Sequence, residues 1–173
     1  HVSKEIVWFG TPDETVFDNS GVPIRAEVNQ LEGAVSRAIV ALHGSDSIQE
    51  LMFGIDPGPT PGIAWKVNGM IIDSKIILSF EKLWVFIDNF ISDLNPKVTK
   101  LRIGDGEPVI TDKLVNWALA RKLQVETVDE KSTSPRKGSG PKHELSAKRI
   151  LHTSGQQVNY RRTLFVPSGT IKH

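Results

Sequence analysis

Leu51-Met52-Phe53-Gly54-Ile55-Asp56-Pro57-Gly58 is the stretch on which the reading of this chain turns. Its first five residues carry no polar interruption, the composition of a strand covered on both faces. The run then stops at Asp-Pro-Gly, a turn cluster. Downstream, Ile63-Ala64-Trp65-Lys66-Val67 and Met70-Ile71-Ile72 flank Asn68-Gly69, the strongest short signal for a two-residue hairpin. The third strand extends toward Ile76-Ile77-Leu78.

A helix follows, with Leu83, Trp84, Ile87, Phe90, Ile91 and Leu94 on one face and Pro96 closing it. Residues 98–103 form a fourth strand that runs into Gly104-Asp105-Gly106-Glu107. The next helix keeps Ile110, Leu114, Trp117, Ala118 and Arg121 in register, with Thr111 as its cap. Residues 124–128 form a fifth strand, ending at Asp129-Glu130. The order from residue 51 is β-β-β-α-β-α-β-α. It predicts an α/β fold with a mixed five-stranded sheet flanked by helices. Strands one to three are antiparallel, and strands four and five are parallel to strand one. With strand four beside strand one, the connections leave those two strands in opposite directions. Open α/β sheets place their sites at such a switch point.

Upstream, Glu5-Ile6-Val7-Trp8-Phe9 reads as a strand. Asp18-Asn19-Ser20-Gly21, between Thr15-Val16-Phe17 and Val22-Pro23-Ile24, reads as a hairpin turn. A helix then carries Leu31, Ala34, Val35, Ala38, Ile39 and Leu42 on one face, with Asn29 as cap, Glu32 three residues on, and Gly44 as its stop. Residues 1–47 are thus a small ββα-like extension, set apart from a domain over 48–173. Residues 131–141 are a basic Gly/Ser/Pro loop, 142–151 a helix, and 158–167 a final strand within a basic tail.

The 173 residues suffice for one domain with an appendage. Apolar residues at 39% and charged ones at 24% give a normal core and exclude global disorder. Cysteine is absent, which excludes disulfides, thiolate metal sites and cysteine nucleophiles. No apolar run approaches the ~18 residues needed to span a bilayer, and no basic-then-apolar leader opens the chain. The expectation is a cytoplasmic protein without membrane contact. The net charge of +1 conceals a division. Residues 1–130 hold 12 basic and 19 acidic side chains, whereas 131–173 hold 9 basic ones against Glu144. An acidic body with a basic end fits a nucleic-acid partner, or a solvated tail with none.

Acids end three of the strands: Asp56, Asp105 with Glu107 close by, and Asp129-Glu130. A lone acid at a strand end is ordinarily a polar loop start. Strands one and four lie ~5 Å apart, so Asp56 and Asp105 come close enough to repel unless a cation sits between them. Hard divalent ions with oxygen ligands, Mg²⁺ or Mn²⁺, suit such a pair. Glu144 opens the last helix, where the dipole favours an acid in any case, and His143 precedes it. No phosphate-cradling G-x-x-x-x-G-K-[ST], G-x-S-x-G elbow or H-E-x-x-H is present. Tyr160-Arg161-Arg162 suits base stacking and a phosphate backbone, or equally a solvated strand face.

Phe53-Gly54-Ile55-Asp56-Pro57-Gly58, with Gly62-Ile63-Ala64 after it, resembles the first strand of the RNase H-like nucleases, especially the RuvC Holliday-junction resolvases and their YqgF relatives. Asp105, with Glu107 as alternate, matches the acid closing that family's fourth strand. Val128-Asp129-Glu130-Lys131-Ser132-Thr133 resembles the D-E-x-[ST]-T segment of the YqgF branch. His143-Glu144-Leu145-Ser146-Ala147-x-x-Ile150-Leu151 is similar to its D-x-x-A-A-x-x-I-L helix, with His143 on the Asp position. The likeness covers roughly residues 50–153.

The resemblance implies an RNase H-like fold and two-metal phosphodiester hydrolysis. Asp56 would bridge two Mg²⁺ or Mn²⁺ ions, Asp105 or Glu107 would hold one, and Glu144 or His143 the other. It also implies contacts to a nucleic-acid backbone from Lys131, Arg136, Lys137, Lys142, Arg161 and Arg162, and, by analogy with resolvases, a homodimer. The alternative is an inactive module of the same fold that binds nucleic acid or a protein partner. A nucleotide-binding ATPase, which shares the Gly-Ile-Asp-Pro-Gly turn, needs a second duplicated domain that 173 residues do not supply.

Overall fold

A computed structural model describes residues 6–16, 21–27, 30–45, 47–130 and 142–163, apart from the side chain of Lys142. The expectations for Asn29 and for residues 131–141 fall outside the described residues.

The chain is α/β, with a mixed sheet flanked by helices. Among the described residues, eight strands and four α-helices follow in this order: β1 (Val7–Gly10), β2 (Val22–Arg25), α1 (Leu31–Leu42), β3 (Glu50–Asp56), β4 (Gly62–Val67), β5 (Met70–Ile76), α2 (Phe80–Leu94), β6 (Val98–Gly104), α3 (Pro108–Ala120), β7 (Gln124–Val128), α4 (Lys142–His152) and β8 (Gln156–Gln157). The main sheet has the order β5-β4-β3-β6-β7-β8. β4 is antiparallel to β3 and to β5, while β6 is parallel to β3 and to β7.

β3 is central, and its continuous apolar run explains why. Phe53 joins the large core beneath α2 and α3, whereas Met52 joins a smaller cluster with Ala64, Ala147 and Leu151 beneath α4. Side chains alternate across a strand, so a strand with helices on both sides must be apolar on both. α2 buries Leu83, Ile87, Phe90 and Leu94 on one stripe, each worth ~1.5–3 kcal/mol against exposure. Ser79 caps its start by accepting from Lys82 N at 3.3 Å, and Asn95 ends it in the left-handed region at φ 43°.

The β4–β5 turn is the one its Asn-Gly pair demands. Asn68 and Gly69 both have positive φ, 48° and 83°, as a two-residue hairpin requires. Beyond it, the register slips between Trp65 and Lys66, leaving Ile72 as an extra residue in β5. α4 crosses the opposite face very closely. A Cβ on Gly62 would lie 2.0 Å from His143 O, so this crossing tolerates only glycine there.

Four expectations are corrected. Among the described residues the main sheet has six strands, because Gln156–Gln157 pairs antiparallel with β7. Residues 158–163 are not the expected final strand, and 164–167 lie outside the described residues. Thr111 lies within α3 rather than capping it, and its hydroxyl donates to Gly104 O at 2.7 Å. The expected N-terminal hairpin of residues 15–17 with 22–24 is not formed: Thr15 and Val16 lie in a 3₁₀ turn, and Val22–Arg25 pairs in parallel with β1 instead.

Thr11-Pro12-Asp13-Glu14 is the reason for the last of these. Glu14 Oε2 accepts from Thr11 N at 2.8 Å and from Thr11 Oγ1 at 2.9 Å. This capping box winds Glu14–Val16 into a 3₁₀ turn, which takes Thr15 and Val16 out of any strand. Side chains of α1 then tie it to α2 and to β5. Arg37 pairs with Asp93 of α2, and Lys75 Nζ of β5 lies 2.6 Å from Glu32 Oε1. Among the described residues, no helix is long and apolar enough to cross a membrane.

Candidate active site

Ile55 pairs with Ile103, which brings Asp56 level with Gly104 and one residue short of Asp105. The ends of β3 and β6 are thus adjacent, with β7 next beyond them. Asp56 is only 7% exposed. Burial pushes its carboxyl above the usual carboxylate range. His143 and the Ser146 hydroxyl, both hydrogen-bonded to it, pull the other way. His143 Nδ1 donates to Asp56 Oδ2 at 3.0 Å. Residues three apart on a helix share a face, and so one side of α4 supplies both donors.

A second acid pair occupies the ends of β6 and β7. Glu130 N donates to Asp105 Oδ1 at 3.0 Å, and Gly106 N donates to Glu130 Oε1 at 3.1 Å. The Glu130 carboxylate lies over Gly104, where a Cβ would come 2.0 Å from Glu130 Oε1. Burial raises the Glu130 carboxyl first of all, and the charges of Asp56, Asp105 and Glu107 raise it further. The Gly106 hydrogen bond opposes them. Four acids therefore share one electrostatic neighbourhood at the ends of three strands.

The candidate residues divide on this frame. Asp56 and His143 are in contact, with Asp105 nearby and solvent-exposed. Glu107 is exposed at the residue before α3. Glu144 faces away from Asp56: its Oε1 accepts from Ser74 Oγ of β5 at 2.5 Å. Lys131, Arg136 and Lys137 lie outside the described residues, as does the side chain of Lys142. Arg161 is exposed. Arg162 is engaged within the chain, 3.0 Å from Asp112 Oδ1 and 3.2 Å from Thr127 Oγ1. Its main chain is held by the Asn116 amide, which accepts from Arg162 N at 2.7 Å and donates to Arg162 O at 2.8 Å.

Three participants fell outside the candidate set. Glu130 carried a signal, as the acid closing the fifth strand. Ser146 carried one too, three residues beyond His143. Ser74 carried none, because only the packing of α4 on β5 brings it to Glu144. The donor chemistry of Asp56, Asp105, Glu130 and His143 suits a hard divalent cation. Among the described residues, however, no three His, Asp or Glu side chains converge closely enough to hold one. No family model, curated protein or solved structure matches this chain.

Proposed function

We propose that the chain is an RNase H-like protein of the RuvC/YqgF type that hydrolyses phosphodiester bonds in structured nucleic acid with Mg²⁺ or Mn²⁺. The observation that carries this reading is the acid cluster at the strand ends. Asp56 lies buried at the switch point between β3 and β6, and Asp105 and Glu130 stand beside it, with Glu130 pushed up first by burial and then by its charged neighbours. A cation would relieve that repulsion. Asp56, Asp105 and Glu130 would hold it. When bound, such an ion lowers the pKa of an attacking water and offsets charge on the phosphate. The chain's own part is to orient Asp56 through His143 and Ser146 and to keep its carboxylate out of bulk water.

A second reading is a binding module that does not cut. It is favoured by the donors already engaging the acids: His143 and Ser146 on Asp56, Ser74 on Glu144, Glu130 N on Asp105. Cleavage assays on four-way junction, duplex, single strand and RNA–DNA hybrid, in Mn²⁺ and in EDTA, separate the two. Metal-dependent cutting that disappears in Asp56→Asn supports the nuclease. Binding without cutting on every substrate favours the module.

A further inference from the structure

His143 and Glu144 are neighbours on the first turn of α4, yet their side chains serve different strands. His143 reaches Asp56 on β3. Glu144 turns to the sheet's edge strand, where Ser74 Oγ donates to its Oε1 at 2.5 Å and Lys148 Nζ lies 3.7 Å from the same oxygen. Ser74 is 7% exposed, so its hydroxyl is largely removed from water and bonds to an ionised acceptor. Such charge-assisted bonds are the strong ones.

The backbone between the two side chains is pressed onto β4, since a Cβ on Gly62 would lie 2.0 Å from His143 O and 3.1 Å from Glu144 N. The first turn of α4 therefore rests on Gly62 and is tethered sideways at Ser74. At 3.6 residues per turn, consecutive side chains diverge by about 100°. With Glu144 fixed toward β5, His143 is directed toward β3, and Ser146 follows it on the same face.

We infer that Glu144 is a positioning residue rather than a metal ligand: with Ser74 it clamps the first turn of α4 to β5, and so holds His143 and Ser146 on Asp56. The inference depends on the nuclease reading only for the metal arm of its test.

The ring nitrogens of His143, followed by NMR in the full ¹⁵N-labelled chain, read the bond to Asp56. His43, whose Nδ1 meets Ile39 O at 2.8 Å, is the internal reference. Ser74→Ala and Glu144→Leu are expected to lose the hydrogen-bonded Nδ1 signal of His143 while that of His43 stays. Ser74→Thr and Glu144→Gln keep a hydroxyl and an acceptor, and are expected to retain it. Mn²⁺ titration supplies the second arm: Glu144→Gln binds with wild-type affinity, whereas Asp56→Asn loses binding. An unchanged His143 signal in folded Ser74→Ala overturns the clamp. Loss of Mn²⁺ binding in Glu144→Gln with the His143 signal intact overturns positioning in favour of ligation. If the wild-type chain takes no Mn²⁺, the nuclease reading falls and the ring-nitrogen arm still decides the clamp.

Discussion

The main-chain N–H of Glu130 donates to Asp105 Oδ1 at 3.0 Å, which ties the ends of β6 and β7 together through an acid that repels its partner's carboxylate. The Glu130 carboxyl is raised in the folded chain by burial and by Asp56, Asp105 and Glu107. A raised carboxyl binds its proton more tightly folded than unfolded. Its contribution is therefore fully present at acid pH and is lost as pH rises through the folded value. Glu130→Gln keeps the acceptor for Gly106 and removes the charge. It should raise Tm at pH 7, at ~2–4 °C per kcal/mol for a chain of this size, and do little near pH ~3.5, where the carboxyl is protonated in both states. Melting curves at the two pH values check this, and an equal gain at both refutes the electrostatic cause.

Metal linkage gives a second expectation. Mn²⁺ at about 100 times its dissociation constant should stabilise the folded chain by ~2.7 kcal/mol. Asp56→Asn should abolish the shift and Asp105→Asn should reduce it. Differential scanning calorimetry with and without EDTA measures it, and an undiminished shift in Asp56→Asn removes that residue from the site.

Gly62→Ala should damage the α4 crossing. The added methyl meets backbone, His143 O at 2.0 Å, which no rotamer change relieves. Overpacking of this kind costs ~1–3 kcal/mol or more. Urea unfolding should show a lowered midpoint with an unchanged m-value, and the hydrogen-bonded His143 Nδ1 signal should disappear from the NMR spectrum.

The basic residues should separate by role. Arg161→Ala, Arg136→Ala and Lys137→Ala should each weaken nucleic-acid binding and lower the salt slope by ~1 for each phosphate no longer neutralised. Arg162→Ala should leave the slope unchanged, because its guanidinium already serves Asp112 and Thr127. It should lower stability instead, as should Asn116→Ala, which leaves two main-chain groups of Arg162 unpaired. The expected cost for the latter is ~1–3 kcal/mol. Salt-dependent binding titrations beside thermal melts decide between the roles.

From β3 to β7 the order of elements was legible, because each rested on a pattern that tertiary packing reinforces. The apolar run of β3 lies between two helical layers, and Asn68-Gly69 closes a turn its own backbone prefers. The N-terminal pairing was not legible from strand patterns: Val16 looked like part of a strand, and the capping box from Thr11 to Glu14 overruled it. Asp56 could be located, since the end of a buried central strand has one geometry. The direction of Glu144 could not. Two adjacent helical positions offer an acid and a histidine to two different strands, and which faces which depends on the roll of α4 over Gly62. Arg162 likewise read as free charge, because its partners Asp112 and Asn116 belong to a helix some fifty residues earlier.

The extra residue at Ile72 bears on how this chain avoids its own kind. β5 is the outer strand of the described sheet, and a long outer strand invites a foreign strand to add on. Here the bulge at Ile72 breaks the regular row of main-chain donors and acceptors. Lys75 is drawn inward, its Nζ 4.1 Å above the Phe86 ring and bound to Glu32. A strand docking alongside would meet an interrupted ladder and would have to displace a charge already in use. The edge is thereby less open to the addition of a foreign strand.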